Sequence, residues 1–330
     1  MAVCNRIITV TGASGFVGRT LVERLLQEKD IHVRCLVRPE TDHSYLDALD
    51  GDISFYEGNI TQQHTLTTAI KGAWGVVNLA GYREFWARDP EHFYKVNRDG
   101  AQNVFRACLA ADVSKVVQVS TPLTYGVPEE VPFDEQSEPG KQSSDYARSK
   151  YLGDQAGWKM LAHDDLPLTI VYLAAVIGAG DDKETMEVRR ALEKRMPALI
   201  GADNTYTYVY LRDASEAIAR ALLQDDTVGR KYLIGDQRAT TREYFNIIGD
   251  LADVSIPKIN IPENWLVPVA KVMSWISELT GSRPIIPIDV IKTTAAGSLL
   301  FKPDRGIKEL KMRYTPLVHA LGEAVEEIRG

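Results

Sequence analysis

The sequence predicts an α/β fold, a doubly wound parallel sheet with a smaller C-terminal region beside it. Through the first half of the 330 residues, short β-branched segments alternate with longer segments of helical periodicity. The first of these strands leads through a glycine-rich loop directly into a helix. After Gly178 the alternation stops, which indicates a second, mixed region.

The predicted strands of the first half are short and rich in β-branched residues. They cover residues 6–11, 33–38, 53–57, 75–80, 115–120 and 166–172. Helical patterns cover 16–28 and 90–111, and a further helix after the fifth strand carries Tyr146 and Lys150. Strands joined by helical crossovers form a parallel sheet, because parallel neighbours need a long connection.

The second half mixes helical and extended segments. The predicted helices cover 182–195, 213–224, 263–280 and 317–328, and the predicted strands cover 206–211 and 230–234. Some of these elements return to the sheet and others form a lid. We therefore expect a dinucleotide-binding domain of residues 1–175 plus about 206–235, and a substrate-binding or lid region of about 176–205 and 236–330.

Composition and charge exclude several classes of function. The 38 basic and 45 acidic residues give a net charge of −7, and no basic run suggests a nucleic-acid partner. Three scattered cysteines and six histidines without ligand spacing indicate neither a disulfide framework nor a metal site. The first residues lack a signal-peptide pattern, and no segment reaches about 18 consecutive apolar residues. We therefore expect a cytoplasmic protein without a spanning segment.

The loop after the first strand contains Gly12, Gly15 and Gly18 at Gly-x-x-Gly-x-x-Gly spacing. Gly12 allows a tight turn, Gly15 lets the backbone approach a pyrophosphate, and Gly18 lets the helix pack on the sheet. The helix N-terminus adds free N–H groups and partial positive charge. A turn that merely needs small residues is the alternative, but the strand–loop–helix context favours a dinucleotide site. The predicted contacts are Gly12, Ser14, Gly15, Phe16, Val17 and Gly18.

Arg38 ends the second predicted strand. Folds that bind NAD usually place Asp or Glu there, to hold the ribose 2′-hydroxyl. A carboxylate would repel a 2′-phosphate, whereas a guanidinium binds it through paired hydrogen bonds. The alternative is a solvated arginine at a strand end. Arg38 therefore predicts NADP (NADPH) as cofactor, in preference to NAD.

Tyr146 and Lys150 are four residues apart in a predicted helix, so they share one face. Free tyrosine has a pKa of about 10, which is too high for efficient acid–base chemistry at neutral pH. A nearby lysine cation favours the phenolate and lowers that pKa. The pair can give a proton to a carbonyl oxygen or take one from an alcohol. An exposed helix pair is the alternative, which the preceding cofactor loop and fifth strand disfavour.

Two hydroxyl residues, Ser120 and Thr121, end the fifth predicted strand. Ligands of doubly wound sheets bind beyond the carboxyl ends of the strands. A hydroxyl there can hydrogen-bond the reacting oxygen and stabilise developing charge. Loop capping is the alternative for each residue, and only one of the two need take part in catalysis.

With these features together, the chain resembles the short-chain dehydrogenase/reductase superfamily in its extended branch. Further segments that carry the resemblance are 58–60, 76–81, 94–100, 208–213 and 309–311. The resemblance covers nearly the whole chain and implies a Rossmann sheet and an NAD(P)-dependent oxidoreductase. It also implies a homodimer, formed through helices near 97–111 and 146–161.

The resemblance implies roles for individual residues. The family's catalytic hydroxyl lies four residues before the Tyr of a Tyr-Gly pair, which favours Thr121 over Ser120. Lys150 would hold the nicotinamide ribose, Tyr146 would handle the proton, and Asn97 would support the active site. Further cofactor contacts would come from Asn59 and Ile60 at the adenine, and from Leu79, Ala80, Gly81, Leu173 and Val176.

Within the branch, residues 33–39 look like the dihydroflavonol reductase and 3β-hydroxysteroid dehydrogenase side, and residues 83–90 with 281–284 are similar to hopanoid-associated members. The chain departs from the family where Asn59 replaces an Asp, and where Leu173 and Ala179 replace prolines. Nucleotide-sugar dehydratases carry an Asp-Glu pair where this chain has Pro122-Leu123, which argues against a dehydratase.

The sequence leaves three functions to compare. The leading one is an NADP-dependent carbonyl reductase or alcohol dehydrogenase for an apolar or polycyclic ketone, aldehyde or alcohol. The second is a nucleotide-sugar 4-epimerase with tightly bound NAD, which Arg38 disfavours. The third is a non-enzymatic dinucleotide sensor, which the presence of both Tyr146 and Lys150 disfavours. The apolar stretch 265–276 is expected to pack in the small domain, to cover an apolar substrate, or to touch lipid.

Overall fold

A computed structural model describes residues 6–180, 184–193, 196–262, 265–266, 268, 270–273, 284 and 288–329. Its strands are β1 (Arg6–Thr11), β2 (Ile31–Val37), β3 (Ile53–Glu57), β4 (Gly75–Asn78), β5 (Lys115–Ser120), β6 (Leu168–Leu173), β7 (Ala175–Ile177), β8 (Leu199–Ile200), β9 (Thr205–Tyr210), β10 (Lys231–Ile234), β11 (Gln237–Thr240) and β12 (Asn260–Ile261).

The helices flank these strands. They are α1 (Phe16–Leu25), α2 (Ser44–Asp47), α3 (Gln63–Ile70), α4 (Glu91–Tyr94), α5 (Ala101–Ala110), α6 (Asp145–Asp164), α7 (Glu184–Leu192), α8 (Leu211–Leu223), α9 (Thr241–Ala252), α10 (Ile288–Ala295), α11 (Asp304–Glu309) and α12 (Leu317–Arg329). A π-helical segment, Lys95–Gly100, joins α4 to α5, and a 3₁₀ turn, Pro122–Tyr125, follows β5.

Seven strands form the central sheet in the order β10-β6-β5-β4-β1-β2-β3, and every pairing in it is parallel. Strands β4, β5 and β6 are buried along their whole length, because helices cover both faces of the sheet. The predicted doubly wound fold is confirmed, and the bounds of β1, β3 and β5 match the prediction at every residue.

Two smaller sheets lie beyond β6. Strands β11, β9 and β7 form one, and β12 pairs with β8 in the other. Strand β9 was grouped with the dinucleotide-binding domain, but it pairs with β7 and β11, whereas β10 returns to the central sheet. These added strands have two to four residues except β9, too few to show a period in the sequence.

The helix predicted over 90–111 is a single run whose middle turn is π-helical. Helix α6 approaches this turn closely, since a Cβ on Gly153 would lie 2.4 Å from the backbone oxygen of Asn97. Helix α6 begins at Ser144, whose side chain accepts a hydrogen bond from the Ala147 N–H, and ends where Asp165 adopts a left-handed conformation.

Parts of the predicted 182–195 and 263–280 helices and most of 281–284 lie outside the described residues. Residues 265–266, 268 and 270–273 are helical. Within the described part of the chain, no helix is both long and apolar enough to cross a membrane. The same residues contain no group of three or more His, Cys, Asp or Glu side chains arranged to hold a metal ion.

Candidate active site

A cavity of about 1370 Å³ lies at the carboxyl ends of the central strands, between the sheet and the smaller region. It is lined by every predicted site residue except Asn97. These are Gly12, Ser14, Gly15, Phe16, Val17, Gly18, Arg38, Asn59, Ile60, Leu79, Ala80, Gly81, Thr121, Tyr146, Lys150, Leu173 and Val176. Residues far apart in the sequence are thus brought to one site.

The glycine loop is packed too tightly for side chains at two of its positions. Gly12 has a φ of +69°, and a Cβ there would lie 2.8 Å from the backbone nitrogen of Ala80. A Cβ on Gly18 would lie 2.1 Å from the Gly12 oxygen. Helix α1 starts at Gly15 without a side-chain cap, so the N–H groups of its first turn face the cavity. This end of the cavity, with Arg38 beside it, is called the glycine-loop end below.

A buried chain of polar side chains fixes the strands that carry this loop. Thr11 Oγ1 donates to Asn78 Oδ1 at 2.5 Å, and Asn78 Nδ2 donates to Gln118 Oε1 at 2.7 Å. Thr11 Oγ1 also accepts from the Ala80 N–H at 3.2 Å. These hydrogen bonds connect β1, β4 and β5 near their carboxyl ends. Sequence reasoning missed them, although a glutamine inside the apolar run of β5 was a visible signal.

Arg38 and Asn59, two of the predicted contacts to the adenosine part of the cofactor, differ in how many partners their side chains already have. Arg38 follows β2 directly and is exposed at the cavity. Asn59 Oδ1 accepts hydrogen bonds from both the N–H and the Oγ1 of Thr61, each at 3.0 Å. Asn59 therefore caps a local turn, and its Nδ2 is the atom left for a ligand.

Tyr146 is half-buried at the cavity wall, whereas Lys150 is only 7% exposed. Burial raises the pKa of Tyr146 to about 12, and the charge that counteracts burial comes from Arg83. The charges that act on this phenol are those of Arg83 and Asp154, and the expected lowering of its pKa by Lys150 is not found. Lys150 Nζ donates to the Val119 carbonyl at 2.7 Å. At neutral pH the Tyr146 phenol therefore carries its proton.

Asn97 lies behind the cavity wall and is 2% exposed. Its Oδ1 accepts from the Tyr82 N–H at 2.8 Å, and its Nδ2 donates to the Tyr82 oxygen and to Ser149 Oγ, each at 3.0 Å. Ser149 Oγ in turn donates to the Tyr146 backbone oxygen at 2.9 Å. Asn97 thus ties the segment after β4 to the helix that carries Tyr146 and Lys150.

The geometry separates the two candidate hydroxyls. Ser120 Oγ donates to Asp154 Oδ2 at 2.6 Å, so its single proton points away from the cavity. Thr121 Oγ1 accepts from the Leu123 N–H at 3.3 Å, which leaves its own proton for a ligand. Both residues line the cavity, but only Thr121 has a hydroxyl proton that can be directed into it.

Arg83 and Phe85 follow β4 and line the cavity beside Tyr146. The Phe85 ring lies edge-on to the Tyr146 ring, with centroids 6.1 Å apart. The Arg83 guanidinium lies 6.0 Å from the centroid of the Phe16 ring. Neither residue was predicted as a site residue, and their position after a central strand was the signal that could have found them.

The opposite wall of the cavity, called the apolar end below, is built mainly by the smaller region, with Phe85 added from the segment after β4. Its aromatic and aliphatic residues include Phe85, Met196, Leu199, Tyr206, Phe245 and Leu299. No Asp or Glu is among the described residues that line the cavity, although acidic residues outnumber basic ones in the whole chain.

Helix α10 connects this apolar end to the start of α6. Asp289, 6% exposed, accepts a hydrogen bond from the Asp145 N–H at 3.1 Å. Asp145 Oδ1 accepts from the Tyr94 hydroxyl at 2.7 Å. The helix that carries Tyr146 is therefore fixed from both the sheet side and the side of the smaller region.

A parallel doubly wound sheet, a glycine loop and a Tyr-x-x-x-Lys helix at one cavity define an oxidoreductase of the extended short-chain dehydrogenase/reductase type. The chain belongs to the NAD-dependent epimerase/dehydratase family, whose model matches residues 8–235. It is an enzyme that uses a nicotinamide dinucleotide on CH–OH or carbonyl groups. The predicted family is confirmed, and the similarity to hopanoid-associated members stays a prediction.

Two curated relatives match nearly the whole length of the chain. It is 26% identical over 334 residues to a putative dihydroflavonol 4-reductase of Synechocystis sp., covering 96% of this chain and 92% of that protein. It is 23% identical to the cinnamoyl-CoA reductase CAD2 of Medicago truncatula, covering 98% and 96%.

Solved structures agree on the fold. The crystal structure of gox2253 has a TM-score of 0.83 at 29% identity and covers 98% of both chains. UDP-glucose 4-epimerase of Thermotoga maritima has a TM-score of 0.77 at 19% identity over 98% of both chains, which shows a common fold alone.

Proposed function

We propose that the protein is an NADP-dependent carbonyl reductase or alcohol dehydrogenase for an apolar or polycyclic ketone, aldehyde or alcohol. One observation carries the proposal: a single cavity has Arg38 and the glycine loop at one end, aromatic and aliphatic side chains at the other, and Tyr146 with Lys150 in its wall. Relatives named as reductases of dihydroflavonol and of cinnamoyl-CoA support it.

The residues at the glycine-loop end fit a phosphorylated dinucleotide. The uncapped first turn of α1 offers N–H groups to a pyrophosphate. Arg38 would bind a 2′-phosphate, and no described carboxylate lines the cavity to repel it. Lys150, 4.0 Å from the Cβ position of Gly81, would hold the nicotinamide ribose. When bound, the dinucleotide would supply or accept the hydride.

The chain's own residues would handle the proton and the substrate oxygen. Tyr146, with a pKa of about 12, is protonated at neutral pH and can donate to a carbonyl oxygen. Thr121 would add a second hydrogen bond to the same oxygen and stabilise its developing charge. Asn97 lies outside the cavity and would act indirectly, by fixing the position of the helix that carries Tyr146.

The test is cofactor consumption by the purified protein. NADPH and NADH oxidation would be followed by absorbance with a panel of ketones, aldehydes, sterol ketones and nucleotide sugars. The expected result is NADPH-dependent reduction of apolar carbonyls. Activity confined to nucleotide sugars, with tightly bound NAD and no net consumption, would instead establish an epimerase and overturn the proposal.

A further inference from the structure

A buried carboxylate lies behind the proposed active site. Asp154 is four residues after Lys150 and eight after Tyr146 on α6, so the three residues lie along one face of the helix. Its side chain is 2% exposed. Burying a carboxylate is costly unless hydrogen bonds and an opposite charge compensate for it, so its surroundings indicate what it does.

Hydrogen bonding accounts for only one of its two oxygens. Asp154 Oδ2 accepts from Ser120 Oγ at 2.6 Å. Asp154 Oδ1 is also buried, and it has no hydrogen-bond partner among the residues that the structure describes. The carboxylate is therefore held in place by Ser120, and the rest of its compensation must come from charge.

The nearest buried cation in the sequence is Lys150, which lies one turn earlier on the same face of α6. Burial raises the pKa of Asp154 to about 6, while Lys150, the Ser120 hydrogen bond and Lys231 on β10 act against burial. The effect is mutual, because burial lowers the pKa of Lys150 and the charge of Asp154 raises it. The other titratable groups that face the carboxylate are three phenols whose pKa values it raises, those of Tyr125, Tyr146 and Tyr172.

We propose that Asp154 is a positioning residue of this active site: its carboxylate is the fixed counter-charge that keeps Lys150 an ammonium, and it holds the Ser120 proton away from the substrate. The inference rests on the proposed function, because it assumes the roles that the proposed function gives to Lys150 and Tyr146. It explains why Lys150 can stay charged while 7% exposed, with the Val119 carbonyl as its hydrogen-bond partner.

The first experiment needs no substrate. Urea unfolding at pH 7.5 would compare wild type, Asp154→Asn, Lys150→Met and the double variant. Removing one member of a buried pair leaves the other charge uncompensated, so the two midpoint shifts should not add, and the double variant should unfold at a higher urea concentration than their sum predicts. Additive shifts would overturn the proposal, whatever reaction the protein catalyses.

The second experiment is the pH profile of carbonyl reduction. Asp154→Asn keeps the shape and an acceptor for Ser120 but removes the negative charge, so the pKa values of Lys150 and Tyr146 should both fall. The alkaline limb should move to lower pH by about one unit, and an inflection near pH 6 in the wild type should vanish. An unchanged profile with an unchanged kcat would contradict the counter-charge role.

Two further variants separate this role from a general structural one. Ser120→Ala removes a hydrogen bond that favours the charged carboxylate, so the inflection near pH 6 should move to higher pH, and an unmoved inflection would contradict the proposal. Asp213→Asn is the control, because Asp213 is a half-buried carboxylate with a raised pKa that accepts hydrogen bonds from Thr315, away from the cavity. It should leave the pH profile unchanged.

Discussion

At the glycine-loop end of the cavity, backbone N–H groups and a cation face the ligand, whereas aromatic and aliphatic side chains face it at the apolar end. The first end is built from β1, α1, β2 and β4, all of which lie before residue 79 of the chain. The second is built from segments that are separated by as many as 214 residues, from Phe85 to Leu299. The pyrophosphate of a dinucleotide is the same in every such cofactor, so backbone N–H groups can bind it. The substrate differs between enzymes, so the side chains of the apolar end select it.

Tyr146 and Lys150 lie where the two ends meet, on a helix held by both halves. Asn97 and Ser149 hold the helix from the sheet side, and Asp289 holds its first turn from the smaller region. Variants at each end should therefore affect different measurements: cofactor affinity at the glycine-loop end and substrate KM at the apolar end.

The largest effect is expected where the ends meet. Tyr146→Phe removes the proton donor and should lower kcat for carbonyl reduction by about 10²- to 10⁴-fold. NADPH affinity should change little, because the ring and its contact with Phe85 remain. Steady-state kinetics and a fluorescence titration with NADPH would check this, with Tyr151→Phe on the same helix as the control. A Tyr146→Phe variant with wild-type kcat would remove Tyr146 from the chemistry.

The next effect concerns the choice of cofactor. Arg38→Gln removes a charge-assisted contact to a 2′-phosphate and should weaken NADPH binding by about tenfold or more. NADH binding should be unchanged, because NADH has no 2′-phosphate. Titrations with both cofactors would measure the ratio, and Arg106→Gln, on the exposed face of α5, is a matched control. Equal losses for NADPH and NADH would show that Arg38 does not select the cofactor.

A smaller effect on stability is expected in the glycine loop. A Cβ on Gly18 would lie 2.1 Å from the Gly12 oxygen and 2.7 Å from the Ala13 oxygen, so Gly18→Ala forces the backbone to shift. The free energy of unfolding should fall by about 1–3 kcal/mol, and cofactor affinity should fall with it. Gly322→Ala, on α12 with no atom within 4 Å of its Cβ position, should not destabilise the protein. Denaturant unfolding compares the two.

The smallest effect is expected at the apolar end of the cavity. Phe85→Ala removes an edge-on ring contact with Tyr146, worth about 0.5–1.5 kcal/mol. The KM for apolar carbonyls should rise by about two- to tenfold, while the NADPH dissociation constant stays the same. If cofactor affinity fell by as much as substrate KM rose, the division of the cavity into two ends would be wrong.

The sequence predicted the central sheet well because period and context agree there. Strands β1, β3 and β5 are β-branched runs bounded by clear loop or helix signals, and each was predicted at its observed bounds. The glycine spacing and the Tyr-x-x-x-Lys spacing are local patterns, so they could be found without knowing how the chain folds. Arg38 was found in the same way, from its position at the end of one strand.

The remaining parts of the site depend on contacts between distant residues. Asp154 is 34 residues from its partner Ser120, and Asp289 is 144 residues from Asp145. The raised pKa of Tyr146 comes from burial, and the charge that partly counteracts burial is that of Arg83, which lies far from Tyr146 in the sequence. A local pattern predicts that Lys150 lowers this pKa, but in the folded protein the lysine nitrogen points to the Val119 carbonyl.

By itself, the sequence determined the family, the parallel sheet and the positions of the glycine loop, Tyr146 and Lys150, because each of these depends on spacing within one or two adjacent elements. Only the tertiary structure decided that the Ser120 proton is bound to Asp154 while Thr121 faces the cavity. It also decided which apolar side chains form the opposite wall. The burial of a side chain and the direction of its hydrogen bonds depend on residues that are distant in the sequence, so a local sequence pattern cannot predict them.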